Sequence, residues 1–383
     1  MRIGLVVPGG VDRGSRERVV PMFLWLIERL ARRHELHVFV LDYYPAACTY
    51  TLLGATVHDL GRPRSIPGSR RWLGRRRLAR ALAAQSRFDV LHAYWGMPAA
   101  VATTRIMGAI HTPVVVTLDS GELVRDDDIG YGLQRRWIDR RAIGAVMRAA
   151  SALTVSTNYM ARLAADHDAH PVVIPIGVDV SQFPLAHRVD GPPWRLIRVA
   201  TINRVKDSPT LLQAFSRVAG QIPAVHLDVV GEDTLGGEMH SMADRLGLHD
   251  RVTFHGAQPT DRLSALYARA HLNVVSSRHE SANITVLEAA CTGLPSVGTR
   301  VGYIADWADR RPELAVGVPV RDPGALADAI AGLLRDPQRR ERMAAGARAW
   351  AIAHDADWTA ARLEQVYADL APVEVTTPSR RPP

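Results

Sequence analysis

The sequence predicts an α/β protein built from two doubly wound domains that face one another across a cleft. Three observations predict this. Short β-branched runs alternate with longer helical patterns along most of the 383 residues. Most of these runs are apolar without alternation, as expected of parallel strands covered by helices on both faces. The alternation loosens once, in the Pro-rich polar stretch SQFPLAHRVDGPPW (181–194), and then restarts.

The chain opens on RIGLVV (2–7), a buried strand running into a turn at Gly9 and Gly10. Further strands are expected at ELHVFVL (35–41), ATVHDL (55–60), FDVLHA (88–93), PVVVTL (113–118), ALTVS (152–156) and PVVIPI (171–176). Helical patterns fall at 17–33, 70–85, 98–108, 133–149 and 157–166. Beyond the linker, LIRVAT (196–201), HLDVVG (226–231), RVTFHG (251–256), LNVVSS (272–277) and PSVGT (295–299) repeat the strand pattern. Helices are expected at about 208–219, 237–247, 260–270 and 284–292, then at 323–335, 337–354 and 357–370. The domains implied are 1–185 and 195–355, both Rossmann-like, with a tail at 372–383 whose composition predicts disorder.

Composition narrows the function classes. Hydrophobic content of 47% with 22% charged residues is that of a soluble globular protein. Cys48 and Cys291 are the only cysteines, so there is no disulfide framework and no CxxC metal signature, and a reducing cytoplasm fits. The first apolar run is too short for a signal peptide or a membrane span. A net charge of +8 favours anionic partners. Part of it lies between Arg62 and Arg80, interleaved with Trp72, Leu73 and Leu78. That pattern suits peripheral contact with the inner face of a membrane, or a solvated helix whose apolar side meets the core. No nucleic-acid motif is present, and GGVDRG does not give the dinucleotide fingerprint GxGxxG. DDD (126–128) and DADW (355–358) resemble metal-binding acid pairs, but a loop and a helical region carry them; both are expected at the surface, with no metal.

Open α/β sheets bind ligands outside the carboxyl ends of their strands, which directs attention to strand-to-helix loops. Lys206 lies in one of them and is the only lysine, against 46 arginines. Either composition has drifted to Arg elsewhere, or this position requires a compact charge in place of a planar fork. Asp207 or Ser208 can cap the helix that follows, with Pro209 in its first turn. The lysine thus neighbours a helix start that attracts anions, and Arg204 adds a second cation. The other loop, SSRHESANITVLEAACTGLP (276–295), carries Glu280 and Glu288, eight apart. A helix starting near Asn283 puts Glu288 beside the apolar Ile284, Leu287 and Ala290, where a carboxylate needs donors such as ribose hydroxyls. The amides of Asn283, Ile284 and Thr285 would be open to a diphosphate or sugar oxygens. On spacing alone, a capping glutamate and an ordinary surface glutamate fit equally well.

HESANITVLEAACTGLPSVGT (279–299) resembles the E-x7-E segment of retaining glycosyltransferases of family 4, which have the GT-B fold. GGVDRGSRERVV (9–20), DVLHAYWG (89–96), PVVVTLDSGE (113–122), SALTVSTNY (151–159) and VIPIGVDVSQF (173–183) are similar to earlier segments of that family. VATINRVKDSPTLL (199–212), DVVGED (228–233) and VTFHGAQPTDRLSALY (252–267) are similar to later ones, in the same order. The resemblance runs from Arg2 to about Leu370. It implies sugar transfer from a nucleotide diphosphate sugar, UDP- or GDP-linked, to a hydroxyl of a glycan, lipid or small-molecule acceptor. It further implies retention of configuration, no metal and no cofactor beyond the nucleotide sugar. Lys206 would bind the donor diphosphate, Glu280 the transferred sugar and Glu288 the ribose. Backbone amides over Ser281, Ala282, Asn283, Ile284 and Thr285 would hold sugar and phosphate. Gly256, Ala257 and Gln258 would lie beside the nucleobase, and Gly9 and Gly10 near the diphosphate and acceptor. The last helix, about 356–370, would pack back on the first domain.

Two positions depart from the family pattern. Thr201 stands where an Arg usually precedes the Lys by five, leaving Arg204 or Arg278 as candidates to supply that charge. TLDSGE, with Asp119, Ser120 and Glu122, runs where many members have a His. Asp119 is the candidate there to bind sugar hydroxyls or act as a base, an inert loop acid being the other reading. A non-catalytic nucleotide- or glycan-binding protein and a nucleotide-sugar epimerase are the alternatives on this architecture.

Overall fold

The computed structural model describes residues 1–14, 19–62 and 70–370, with the side chains of 70–75 excepted. The expected tail (372–383), residues 63–69 of the basic run Arg62–Arg80 and the side chains of its residues 70–75 therefore lie outside the described residues.

The first sheet contains β1 (Arg2–Val7), β2 (Glu35–Val40), β3 (Cys48–Leu52), β4 (Ala55–Asp59), β5 (Val90–Tyr94), β6 (Val114–Thr117), β7 (Ala152–Val155) and β8 (Val172–Val173). Their spatial order is β3-β4-β2-β1-β5-β6-β7-β8. The second contains β9 (Trp194–Val199), β10 (Val225–Val230), β11 (Val252–Phe254), β12 (Leu272–Val275), β13 (Ser296–Thr299) and β14 (Ala315–Val318), in the order β11-β10-β9-β12-β13-β14. Among the described strands every pairing is parallel except β3 with β4. The central strands are apolar because helices cover both faces: Ile3, Leu5, Val90 and Val115 in the first sheet, and Leu196, Leu227 and Val297 in the second, are fully buried. This is the two-domain doubly wound architecture that the sequence pattern predicts.

The differences are local and have identifiable causes. β3 was not expected because it alternates half-buried with exposed residues on a sheet edge, and a search for apolar runs passes over it. Its hairpin with β4 turns at Leu53 and Gly54, whose φ values of 51° and 87° are those of a two-residue primed turn. The helix expected over 98–108 starts just after Met97, which is extended before Pro98 (φ −135°, ψ 139°), and is interrupted at Arg105 and Ile106, between the pieces Val101–Thr104 and Met107–Ile110. β14 and the helix Gly302–Arg310 were also unexpected. The first helix begins at Pro21, where the ring presets the first turn.

The last helix, Ala356–Leu370, leaves the second domain and packs against the helix Pro21–Ala31 of the first. Tyr367 is fully buried there, its hydroxyl 2.5 Å from His92 Nδ1. Arg29 pairs with Asp357 at 3.1 Å and Arg33 with Glu364 at 2.7 Å. The chain thus crosses between domains twice. The loops after β6 and β7 meet those after β12 and β13, so the carboxyl edges of the two sheets face each other.

Candidate active site

Lys206 sits in the loop between β9 and the helix Ser208–Gln221. Asp207, at φ 48°, caps that helix by accepting from Thr210 N, and Pro209 occupies its first turn. The Lys206 ammonium donates to both carboxylate oxygens of Glu280, at 2.7 and 2.6 Å. Ser277 Oγ also donates to Glu280 Oε1, at 2.6 Å. The lysine's backbone is fixed as firmly as its side chain. Its N–H donates to Asn203 Oδ1 at 3.1 Å, and its carbonyl accepts from Ser276 Oγ at 2.9 Å and from Arg198 Nη2 at 3.3 Å. Arg204 is exposed and has no ion pair among the described residues. Arg278 faces Asp126, Asp128 and Asp207 at 3.5–3.7 Å, while its N–H donates to Val205 O at 2.8 Å. Neither arginine is bonded to Lys206 or Glu280 by its side chain.

The helix Ile284–Cys291 starts just beyond Glu280. Asn283 precedes it in the left-handed region at φ 71°, and its Oδ1 accepts from Thr285 Oγ1 at 2.6 Å. The first-turn amides of Ile284 and Thr285 have no intrahelical acceptor by helix geometry. The segment Glu280–Ala282 is backed by Gly302, at φ 52°, whose neighbour Tyr303 donates its N–H to Ala282 O at 2.9 Å. A Cβ on Gly302 would lie 2.4 Å from Ala282 O, so only glycine permits this approach.

Glu288 lies in the second turn and is buried, with Oε2 accepting from Tyr267 Oη at 2.9 Å. Burial pushes its pKa up to about 7, and the same cause raises that of Tyr267. Gly256, Ala257 and Gln258 form the turn after β11. Gly256 O accepts from Gly231 N at 2.8 Å, and Gln258 Nε2 donates to His255 O at 2.6 Å. Gly9 and Gly10 follow β1 on the facing edge, where Gly10 O accepts from Val20 N at 2.9 Å.

The domains join beside this loop. Ser281 accepts from Thr157 Oγ1 at 2.6 Å through its carbonyl and donates its hydroxyl to Asp119 O at 2.8 Å. The His279 ring nitrogens lie 3.1 Å from Ser120 O and 3.2 Å from Tyr159 Oη. Asp306 accepts the N–H groups of Asn158 and Tyr159, both at 2.7 Å. The Asp119 carboxylate turns inward. Oδ1 accepts from Ser156 N at 2.9 Å and from Ser156 Oγ at 2.6 Å, while Oδ2 is buried without a partner. Desolvation raises its pKa to about 7. In this conformation the carboxylate is closed to solvent. Glu122 is turned inward as well, accepting from Gly96 N at 2.7 Å and Ser120 N at 2.6 Å.

The two acid motifs lie at the surface, as expected, with Asp127, Asp128 and Asp357 exposed, and from there they tie parts of the molecule together. Asp126 and Asp128 bridge to Arg278 and Arg321 of the second domain, Arg321 at 3.4 and 2.5 Å. Asp355 caps the last helix through Trp358 N at 2.9 Å, and Asp357 ties that helix to Arg29. Acid runs attract such partners through tertiary packing, which local spacing does not reveal. Among the described residues no group of three or more His, Cys, Asp or Glu is placed to hold a metal ion.

Residues 182–350 match the family model described as glycosyl transferases group 1, and residues 19–177 match the glycosyl transferase 4-like domain. The D-inositol 3-phosphate glycosyltransferase of Salinispora arenicola is 31% identical over 326 residues, which are 76% of this chain and 71% of that protein. Sucrose-phosphate synthase from Thermosynechococcus elongatus has the same fold, with a TM-score of 0.81 at 19% identity, covering 97% of this chain and 99% of that one. The chain belongs to the GT-B glycosyltransferases of the family 4 type. A Corynebacterium urealyticum protein with the same name as the Salinispora one is 26% identical over 77% of this glycosyltransferase and 75% of its own length. Two further proteins of that name are spanned over only 60% and 51% of their lengths. HepE from Anabaena, in complex with UDP-glucose, superposes with a TM-score of 0.72 at 16% identity, over 96% of this chain and 100% of that one.

Four residues of the glycosyltransferase escaped the sequence analysis: Arg198, Tyr267, His279 and Asp306. Arg198 had a signal, an arginine inside the apolar strand run LIRVAT. The others are ordinary polar positions until the fold assembles. A groove of about 940 Å³ lies away from this site, beside the starts of β12 and β13. Its arginines serve helix ends: Arg188 donates to Tyr267 O, Ala270 O, Thr292 O and Gly293 O, and Arg340 to Leu333 O and Leu334 O.

Proposed function

We propose that this glycosyltransferase takes a sugar from a UDP- or GDP-linked donor and passes it to an acceptor hydroxyl, with retention and without a metal. One observation carries the reading: the single lysine ammonium is held at the cleft on Glu280, beside a helix start whose amides are open. The leaving diphosphate gains charge as the glycosidic bond breaks. An ammonium and helix-terminal N–H groups are preorganised to stabilise charge that develops there. An incoming diphosphate would share the ammonium, and Glu280 would then accept from sugar hydroxyls. Glu288 would accept from the ribose while Tyr267 holds its other oxygen. The leaving phosphate would help to deprotonate the acceptor, so the mechanism requires no protein nucleophile. Closure of the two domains would exclude water and limit donor hydrolysis.

The UDP-glucose complex of HepE, which shares the fold, supports a nucleotide-sugar donor. The names of the inositol phosphate glycosyltransferases support a small-molecule acceptor, with glycan and lipid acceptors as the alternatives. No helix among the described residues is long and apolar enough to cross a membrane. The basic residues between Arg62 and Arg80 support peripheral contact at the cytoplasmic membrane face; failure to bind anionic liposomes at low salt would remove that part. The donor reading is tested by incubating the protein with UDP- and GDP-sugars. Slow donor hydrolysis that Lys206→Ala and Glu288→Ala abolish supports transfer. Tight nucleotide binding without turnover under any acceptor would mark a binding protein instead.

A further inference from the structure

β9 is a central strand of the second sheet, flanked by β10 and β12, yet it carries Arg198 with 2% exposure. A guanidinium in such a place is costly, and a methionine of similar length would suit the surrounding core better. Among the described residues no carboxylate lies within ion-pair distance of it. Its donors go to two backbone carbonyls, Ala200 O at 2.7 Å and Lys206 O at 3.3 Å. These two residues stand at opposite ends of the loop 200–206, so one side chain fastens both ends from beneath. Burial lowers the pKa of Arg198 to about 10, and the nearby Glu280 charge opposes that fall, so the group stays charged at neutral pH.

We propose that Arg198 is a positioning residue for the donor diphosphate: it fixes the Lys206 loop from below and sets a permanent positive charge under the anion site. This rests on the donor reading above. Two features favour it over a merely structural tie. One of the two hydrogen bonds ends on the carbonyl of the very residue whose ammonium would meet the phosphates, and the other on the far end of its loop. The charge is also left without an ion-pair partner in a low-dielectric interior, where its field is screened little and favours an incoming anion.

The test compares affinities for UDP, GDP and ADP with those for the corresponding monophosphates, in wild type, Arg198→Met and Arg198→Lys. For the nucleotide that the wild type binds, Arg198→Met should weaken the diphosphate by about tenfold or more and the monophosphate by no more than about twofold. Arg198→Lys, which keeps the charge but not the two-carbonyl fork, should fall between. A purely structural role would lower the melting temperature and leave the diphosphate-to-monophosphate ratio unchanged, and that result overturns the proposal. If Arg198→Met does not fold, the same ratio in Arg198→Lys decides: a selective loss of diphosphate supports the role, and an equal change in both ligands overturns it. A wild type that binds no nucleoside diphosphate would instead defeat the donor reading itself.

Discussion

Lys206 and Glu280, 74 residues apart, form a bidentate ion pair at 2.7 and 2.6 Å with Ser277 Oγ on the same carboxylate. The pair joins the loop after β9 to the loop after β12, and these strands are neighbours in the sheet. The ammonium and the carboxylate offset each other's charge before any donor arrives, leaving Arg198 beneath them without an ion-pair partner among the described residues. Each partner also holds the other in place, so the ammonium needs little rearrangement to meet a phosphate.

Replacing Lys206 therefore removes both a charge and an anchor. Lys206→Ala should lower kcat for donor turnover by about 10²–10³-fold, the range for losing one preorganised electrostatic stabiliser. Lys206→Arg should recover little of it, because a planar fork does not fit the space of a compact ammonium. Single-turnover assays with the preferred nucleotide sugar measure this. An alanine variant retaining more than about a tenth of wild-type kcat would take Lys206 out of the chemistry.

Glu288 gives the fold a pH dependence of definite sign. Burial raises its pKa from the usual 4.5 to about 7 in the folded protein. Between those values the folded state keeps a proton that the unfolded chain has released, so stability falls as pH rises through the window. The shift sets an upper scale of ~3 kcal/mol. Asp119, raised to about 7 from 3.8, acts in the same direction. Glu288→Gln should therefore gain stability over wild type at pH 8 but much less at pH 5, as read by urea unfolding. An identical difference at both pH values would contradict a buried, desolvated carboxylate.

The two doubly wound sheets and the Lys206 loop were legible because each is written locally, in apolar runs and a capped helix start; the Glu280–Glu288 segment was singled out by its family resemblance, since its spacing alone fits a surface glutamate equally well. The partners of these residues were not. Tyr267 reaches Glu288 from 21 positions away and Asp306 reaches Tyr159 from 147, and nothing local marks either one. Arg198 was passed over even though it interrupts an apolar strand run, and its role is not written locally, since its acceptors are backbone carbonyls that any sequence offers. The acidic run 126–128 was legible as surface but its partners were not, since its arginines, Arg278 and Arg321, come from the other domain. β3 hid behind its own exposure, as edge strands do once one face is wet.

Gly302, the first residue of the helix after β13, packs directly against the Glu280–Ala282 backbone. Gly302→Ala would require a side chain at φ 52° with its Cβ 2.4 Å from Ala282 O. The strain and the forced movement together should cost about 1–3 kcal/mol. Because the displaced backbone carries Glu280, donor turnover should fall further than the stability loss explains. A variant with wild-type kcat and unchanged unfolding midpoint would show that this contact does not hold the site.

Asp306 belongs to the second domain but caps a helix of the first. Its oxygens accept from Asn158 N and Tyr159 N at 2.7 Å and from Asn158 Nδ2 at 3.0 Å, at the start of the helix Asn158–Ala165. Thr157 caps the same helix from within through Met160 N, so the helix start is satisfied by both domains at once. Asp306→Ala should cost ~1–2 kcal/mol, the upper part of the range for a lost cap, since the aspartate is 9% exposed. The effect should be localised: amides of Asn158 and Tyr159 should exchange with solvent faster, by about tenfold per 1.4 kcal/mol. Asp306→Asn, which keeps one acceptor oxygen, should restore part of the protection. If hydrogen exchange at these amides is unchanged in Asp306→Ala, the cap is not formed in solution and the domains do not meet along this seam.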